Sequence, residues 1–133
     1  MTIMEGDSQG DRPTERPLLW VGRSREDLRD FPAEVRRDIG FALAFAQRGK
    51  KHPSAKPLKG FGGAGVLEIV EDHRGDTYRA VYTVRFAECI YVLHTFMKKS
   101  KSGVKTPKRE IALITSRLKT AEAHHRHHVE EMP

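Results

Sequence analysis

One cysteine in 133 residues leaves no internal disulfide to form, which excludes the small secreted domains that are stapled by cystines. That residue, Cys89, lies in the apolar run "ECIYVLHTFM", where a small buried thiol is the expected use rather than a nucleophile. Long apolar runs are lacking too. No stretch approaches the roughly 20 residues that a spanning helix needs, and no basic-then-apolar leader opens the chain. The expectation is a soluble, cytoplasmic protein with no membrane partner. No Asp or Glu cluster with metal-ligand spacing occurs, so any hydrolytic chemistry is expected to run without metal or other cofactor. The glycine-rich "GFGGAG", residues 60–65, lacks the GK[ST] ending of a nucleotide loop and leads into an apparent strand rather than a helix. A flexible hinge beside a cleft suits it better.

Positive charge is what the chain has in excess. Its net charge is +6 and its sequence pI about 9.7, which favours a polyanionic partner, nucleic acid ahead of an anionic membrane. Between Lys98 and Arg109 the chain places Lys98, Lys99, Lys101, Lys105, Lys108 and Arg109 with no acid among them.

The length suits one domain with tails. Residues 1–16, poor in spaced apolar side chains, read as a disordered arm, residues 17–122 as the domain, and the histidine-rich residues 123–133 as a flexible tail. "PLLWVG", residues 17–22, is a short strand pattern. Ser24 followed by Asp27 resembles a capping box that starts a short helix. Pro32 in a first turn, Val35, Ile39, Ala42 and Ala46 on one face, and Gly49 as a stop predict a second helix over 32–48. After a basic loop over 50–65, the β-branched and aromatic runs 66–71, 77–86 and 88–97, with short links, predict an antiparallel meander. Thr106 and Pro107 start a last helix with Ile111, Ile114, Leu118 and Ala121 on one side. The order β-α-α-β-β-β-α defines a small α+β domain, an antiparallel sheet with helices packed on one face.

Period-two alternation assigns Tyr78, Ala80, Tyr82, Val84 and Phe86 to the core face and Arg79, Val81, Thr83 and Arg85 to the opposite one. Arg79 and Arg85 lie about 20 Å apart along the strand, too far to share one phosphate, and Arg79 is the better candidate for a site with the glycine loop. In the last strand Ile90, Val92, His94, Phe96 and Lys98 alternate against Tyr91, Leu93, Thr95 and Met97, so His94 and Lys98 share a side.

"KPLKGFGGAGVLEIVED", "YRAVYTV", "IYVLHTFMKKS" and "KTPKREIALITSRL" together resemble the phage-derived branch of the RelE superfamily, near the HigB toxins of bacterial toxin–antitoxin pairs. The resemblance covers roughly residues 17–118. It implies an mRNA endoribonuclease acting in the ribosomal A site and held inactive by a cognate helix-turn-helix antitoxin. Carried over residue by residue, Lys59 in "PLKG", Arg79 in "YRAVY" and Lys98 and Lys99 in "FMKKS" match the family's cationic cleft. The chain departs from relatives with a terminal cleft tyrosine, because no tyrosine follows Tyr91, and from those with a close His-Asp-His group.

Metal-free RNA cleavage needs a base for the 2′-hydroxyl proton, cations around the five-coordinate phosphorus and a proton source for the leaving oxygen. Arg79 offers two parallel donors to a phosphate. Lys98 and Lys99 are crowded in a way that lowers a lysine pKa. His94 titrates near neutrality but sits in an apolar strand, where a packed histidine is the commoner outcome. Arg79, Lys98, Lys99 and His94 are therefore the catalytic candidates, and Lys56, Lys59, Lys101 and Lys105 the RNA-binding ones. His124, His125, His127 and His128 lack a carboxylate or thiol frame and are assigned no metal. The alternative reading is a non-catalytic member of the fold that binds RNA or a protein through the same surface; a phage-type nucleic-acid-binding regulator is a third.

Overall fold

The structure is a computed structural model, and it describes residues 3–5, 15–63, 65–98 and 106–130. Two antiparallel ladders carry its centre. Strand β4 (Val66–His73) turns through Arg74 and Gly75 into β5 (Asp76–Thr83), which pairs in turn with β6 (Ile90–Lys98). These are the three strands whose β-branched and aromatic composition predicted a meander. β2 (Leu18–Val21) adds to the far side of β6, parallel to it, so the sheet is mixed rather than purely antiparallel. Two short strands close the edges. β1 (Ile3–Glu5) pairs with β2 and β3 (Ala55–Pro57) with β4, giving the order β1-β2-β6-β5-β4-β3.

Helix α1 (Ser24–Arg29) does not begin with a capping box. Arg23 holds the N-cap position without a side-chain hydrogen bond, and the buried Ser24 hydroxyl instead donates to the Val92 carbonyl at 3.1 Å. The Thr95 hydroxyl returns a bond to the Ser24 carbonyl at 2.7 Å, so this helix start is fastened to β6. Helix α2 (Ala33–Gln47) follows Pro32 and buries Val35, Ile39, Ala42, Leu43 and Ala46, as its spacing predicts.

Helices cover both faces of the sheet, which corrects the expectation of one covered face. On the first, α2 packs with Trp20, Ile69, Tyr78, Ala80, Tyr82, Ile90 and Val92. On the second, Ile114, Leu118 and Ala121 of α3 (Lys108–Glu130) pack on Leu19, Val21, Val66, Val81, Tyr91, Leu93 and Phe96. The second face carries Arg79 and Thr83 between its apolar residues, and this mixture gives it the alternation of a wet face although it is covered.

A bulge adds a second correction. The β5–β6 register runs from Thr77 opposite Lys98 to Val81 opposite His94, then places Tyr82 opposite Val92 and leaves Leu93 as the extra residue. Alternation in β6 therefore breaks there: Ile90 and Val92 face α2, whereas Phe96 joins Tyr91 and Leu93 in the α3-side core.

At the ends, residues 3–5 form β1, the rest of the expected arm up to residue 14 lies outside the described residues, and α3 continues through the histidines to Glu130. His124 and His125 pack against β6 and the loop before it: Tyr91 Oη lies 2.7 Å from His124 Nδ1, and the His125 ring centroid lies 4.2 Å from that of Phe86. None of the helices in the described residues is long and apolar enough to cross a membrane.

Candidate functional site

Register brings the candidate residues to one region of the α3-side face. Lys56 on β3 stands opposite Glu68 on β4, Glu68 opposite Val81, and Val81 opposite His94. Arg79 is diagonal to Glu68, and Phe96 is its partner on β6. Lys98 lies two residues beyond Phe96 and so on the same face.

Glu68 is the hub. Arg79 Nη1 donates to its Oε2 at 3.0 Å, and Thr106 Oγ1, just ahead of α3, lies 3.3 Å from the same oxygen and 3.2 Å from Arg79 Nη1. Lys56 Nζ approaches Oε1 at 3.9 Å. Both Glu68 and Arg79 are buried, the arginine only 1% exposed. A charge so placed is tolerable because it is paired and hydrogen-bonded, and a charge-assisted bond of this kind also fixes the direction of the carboxylate.

An open cavity of about 410 Å³ lies in front of this pair, lined by Lys56, Pro57, Leu58, Lys59, Glu68, Thr106 and Ile111. Glu68 is the carboxylate in its wall, and Lys56 and Lys59 are exposed cations at its rim. Arg79 stands behind Glu68 and does not line the cavity. The structure thus brings together Lys56, Lys59 and Arg79, with Lys98 diagonal to Arg79 on the neighbouring strand, opposite Thr77. Lys99, Lys101 and Lys105 lie outside the described residues.

His94 is engaged elsewhere. Its Nε2 lies 3.3 Å from both oxygens of Glu110, and its Nδ1 3.1 Å from Arg117 Nη1. Arginine can only donate, so Nδ1 accepts and the proton of the neutral ring sits on Nε2, directed at Glu110. Burial lowers the His94 pKa, Glu110 opposes that shift, and Arg117 reinforces it. Arg117 also donates to the Leu93 carbonyl at 2.9 Å, and its own pKa is lowered by burial. A Cβ at Gly22 would stand 3.0 Å from that guanidinium, so the turn after β2 needs glycine to admit Arg117. The Arg117–His94–Glu110 chain fastens α3 to the bulge of β6.

Cys89 is buried, with its pKa raised by burial, and its sulfur lies 3.9 Å from His125 Nδ1. The far nitrogen of that imidazole meets Glu88 at 3.0 Å. A thiol held protonated is a poor nucleophile and a poor metal ligand. Among the described residues no group of three or more His, Cys, Asp or Glu could hold a metal ion.

Sequence reasoning singled out the cations and passed over Glu68 and Thr106. Glu68 stands in the apolar strand "VLEIVE", and its position opposite Lys56, a possible signal, depends on β3, too short to show a period.

Fold and site together define a basic α+β domain with a cationic cleft built around one buried carboxylate. Residues 26–119 match the family described as phage derived protein Gp49-like (DUF891), and the chain belongs to that family, part of the RelE/HigB-like toxin superfamily. No curated protein and no solved structure matches the chain.

Proposed function

We propose that this chain is the toxin of a type II toxin–antitoxin pair, an endoribonuclease that cuts message on the ribosome in the cytoplasm and is silenced by a helix-turn-helix antitoxin. The observation that carries this reading is the Glu68 carboxylate, held in direction by Arg79 and Thr106 at the wall of a cavity rimmed by Lys56 and Lys59. In the reaction the ribose 2′-oxygen attacks the adjacent phosphorus and the bond to the 5′-oxygen breaks, leaving a 2′,3′-cyclic phosphate and a 5′-hydroxyl. Glu68 takes the 2′-hydroxyl proton, and Lys56 and Lys59 hold the phosphate oxygens as charge accumulates. Lys98, with Lys99 next to it in sequence, supplies the second cationic wall and the proton for the leaving oxygen. Arg79 acts on the phosphate through Glu68, as the residue that orients the base. His94 acts as a positioning residue for α3.

The burial of Arg79 favours a second reading, in which the same surface binds RNA or a protein without cutting, because a guanidinium behind Glu68 is a poor phosphate clamp.

Induction in a bacterial host, with and without the adjacent gene, separates the two. Growth arrest relieved by the neighbour, with new 5′-hydroxyl ends on ribosome-bound message, is expected. Glu68→Gln, once its fold is confirmed by circular dichroism, should lower cleavage by about 10²–10⁴, the usual worth of a positioned base. Arrest without new message ends, or cleavage undiminished in a folded Glu68→Gln protein, would overturn the nuclease reading.

A further inference from the structure

The loop from β3 to β4 has a feature that the cleavage chemistry leaves unused. In "KGFGGAG" one aromatic, Phe61, is set among glycines of positive φ, half-buried against the α3-side core. The loop borders a second open cavity, of about 500 Å³, whose walls include Leu58, Phe61, Val66 and Leu67 together with glycine backbone. Both cavities are lined by Pro57, Leu58 and Lys59, so they adjoin. A polyanion held at Lys59 therefore has an apolar hollow with an aromatic ring beside it. A phosphate gains nothing by entering such a hollow. A nucleobase does, because it is flat, has π-faces, and stacks on aromatic side chains whatever its hydrogen-bonding edge.

We infer that this second cavity is a nucleobase subsite, in which Phe61 stacks on the base of the nucleotide adjoining the scissile phosphate and so helps to select where a message is cut. The inference rests on the nuclease reading for its consequence, though not for its binding test.

The test measures binding by fluorescence anisotropy of the full chain with a labelled single-stranded RNA, and with the same RNA made abasic at one position at a time. Wild type should lose roughly tenfold in affinity at one abasic position, the usual worth of a stacked base. Phe61→Leu, which keeps an apolar contact with the core, should bind the intact RNA about as weakly and lose nothing further at that position, and Phe61→Tyr should behave as wild type. The inference is overturned if no position is sensitive in wild type, or if Phe61→Leu weakens intact and abasic RNA equally. Should the leucine variant not fold, the wild-type scan alone decides between these outcomes. Cleavage maps distinguish the two readings. Wild type that shows the abasic pattern but cuts no message sinks the nuclease reading alone. Wild type that cuts message, with a Phe61→Leu variant that cuts the same positions in the same proportions, sinks the subsite alone.

Discussion

At the scale of single residues, the molecule turns on two buried polar groups of opposite purpose. Glu68 is a carboxylate paired with two cations beside open space. His94 is an imidazole kept neutral within a packed interface, facing Glu110, Arg117 and, at longer range, Asp27. The second has a consequence for stability. In the unfolded chain His94 takes up a proton near its ordinary pKa of about 6.5, whereas in the folded protein burial resists that proton. Just below pH 6.5 the unfolded state therefore binds more protons, and stability must fall as pH drops through this window. Each histidine of this kind contributes at most about 1.4 kcal/mol per pH unit. Denaturant titrations between pH 7.5 and 5 should show the loss, and His94→Gln should make the curve flatter. A wild-type curve no steeper than that of the variant would show that His94 is not held neutral. The chemistry of His94 was legible in the sequence only as far as its strand; its partners were not, because Glu110 and Arg117 come from a helix whose side of the sheet alternation could not assign.

At the scale of elements, legibility followed length and regularity. β4, β5 and α2 have enough residues for a period to show, and their bounds fall close to those predicted. β1 and β3 have three residues each, too few for any period, so the strand that brings Lys56 to Glu68 falls inside the loop that the sequence predicts over 50–65. In β6 the alternation is real but broken by Leu93, and the phase assigned from Ile90 and Val92 misplaces the first half relative to Phe96. The glycine loop shows how an element is pinned at one end and free at the other. Gly65 has a φ of +67°, its carbonyl accepts from Val84 N at 2.9 Å and Thr83 Oγ1 at 3.0 Å, and an added Cβ would stand 3.2 Å from Arg85 N. Gly63 has a φ of +78° with open space around it. Gly63→Ala should therefore cost only the backbone strain, about 1 kcal/mol, while Gly65→Ala adds a clash against the Arg85 backbone just beyond β5 and should cost about 2–3 kcal/mol. Chemical denaturation midpoints measure both; equal losses would mean that the loop exit gives way without resistance.

At the scale of the whole molecule, the fold class was readable from the chain, because element order sets it. The two-sided covering of the sheet was not, since Arg79, Glu68 and Thr83 make a buried face look polar; what lets them lie under α3 is pairing among themselves and with Thr106 and the Gly65 carbonyl. The excess charge divides accordingly. Arg79 is neutralised inside the fold, and Arg85 is ion-paired with Glu122, so neither adds much to the field felt by an approaching strand. Lys56 and Lys59 are exposed at the cavity rim and do. If RNA binds there, each phosphate contact releases counterions and contributes a slope of about −0.7 in the logarithm of affinity against the logarithm of salt. Lys56→Ala with Lys59→Ala should make the slope shallower by about 1.4, two contacts' worth. The comparison that isolates site from net charge is Lys119→Ala with Arg126→Ala, two exposed positions on α3. Either pair takes the net charge from +6 to +4, that is 6 − 2, so a field that depends only on total charge would change both slopes alike. A bound strand centred on the cavity changes the first and leaves the second near the wild-type value, and equal slopes for the two pairs would place the RNA elsewhere on the surface.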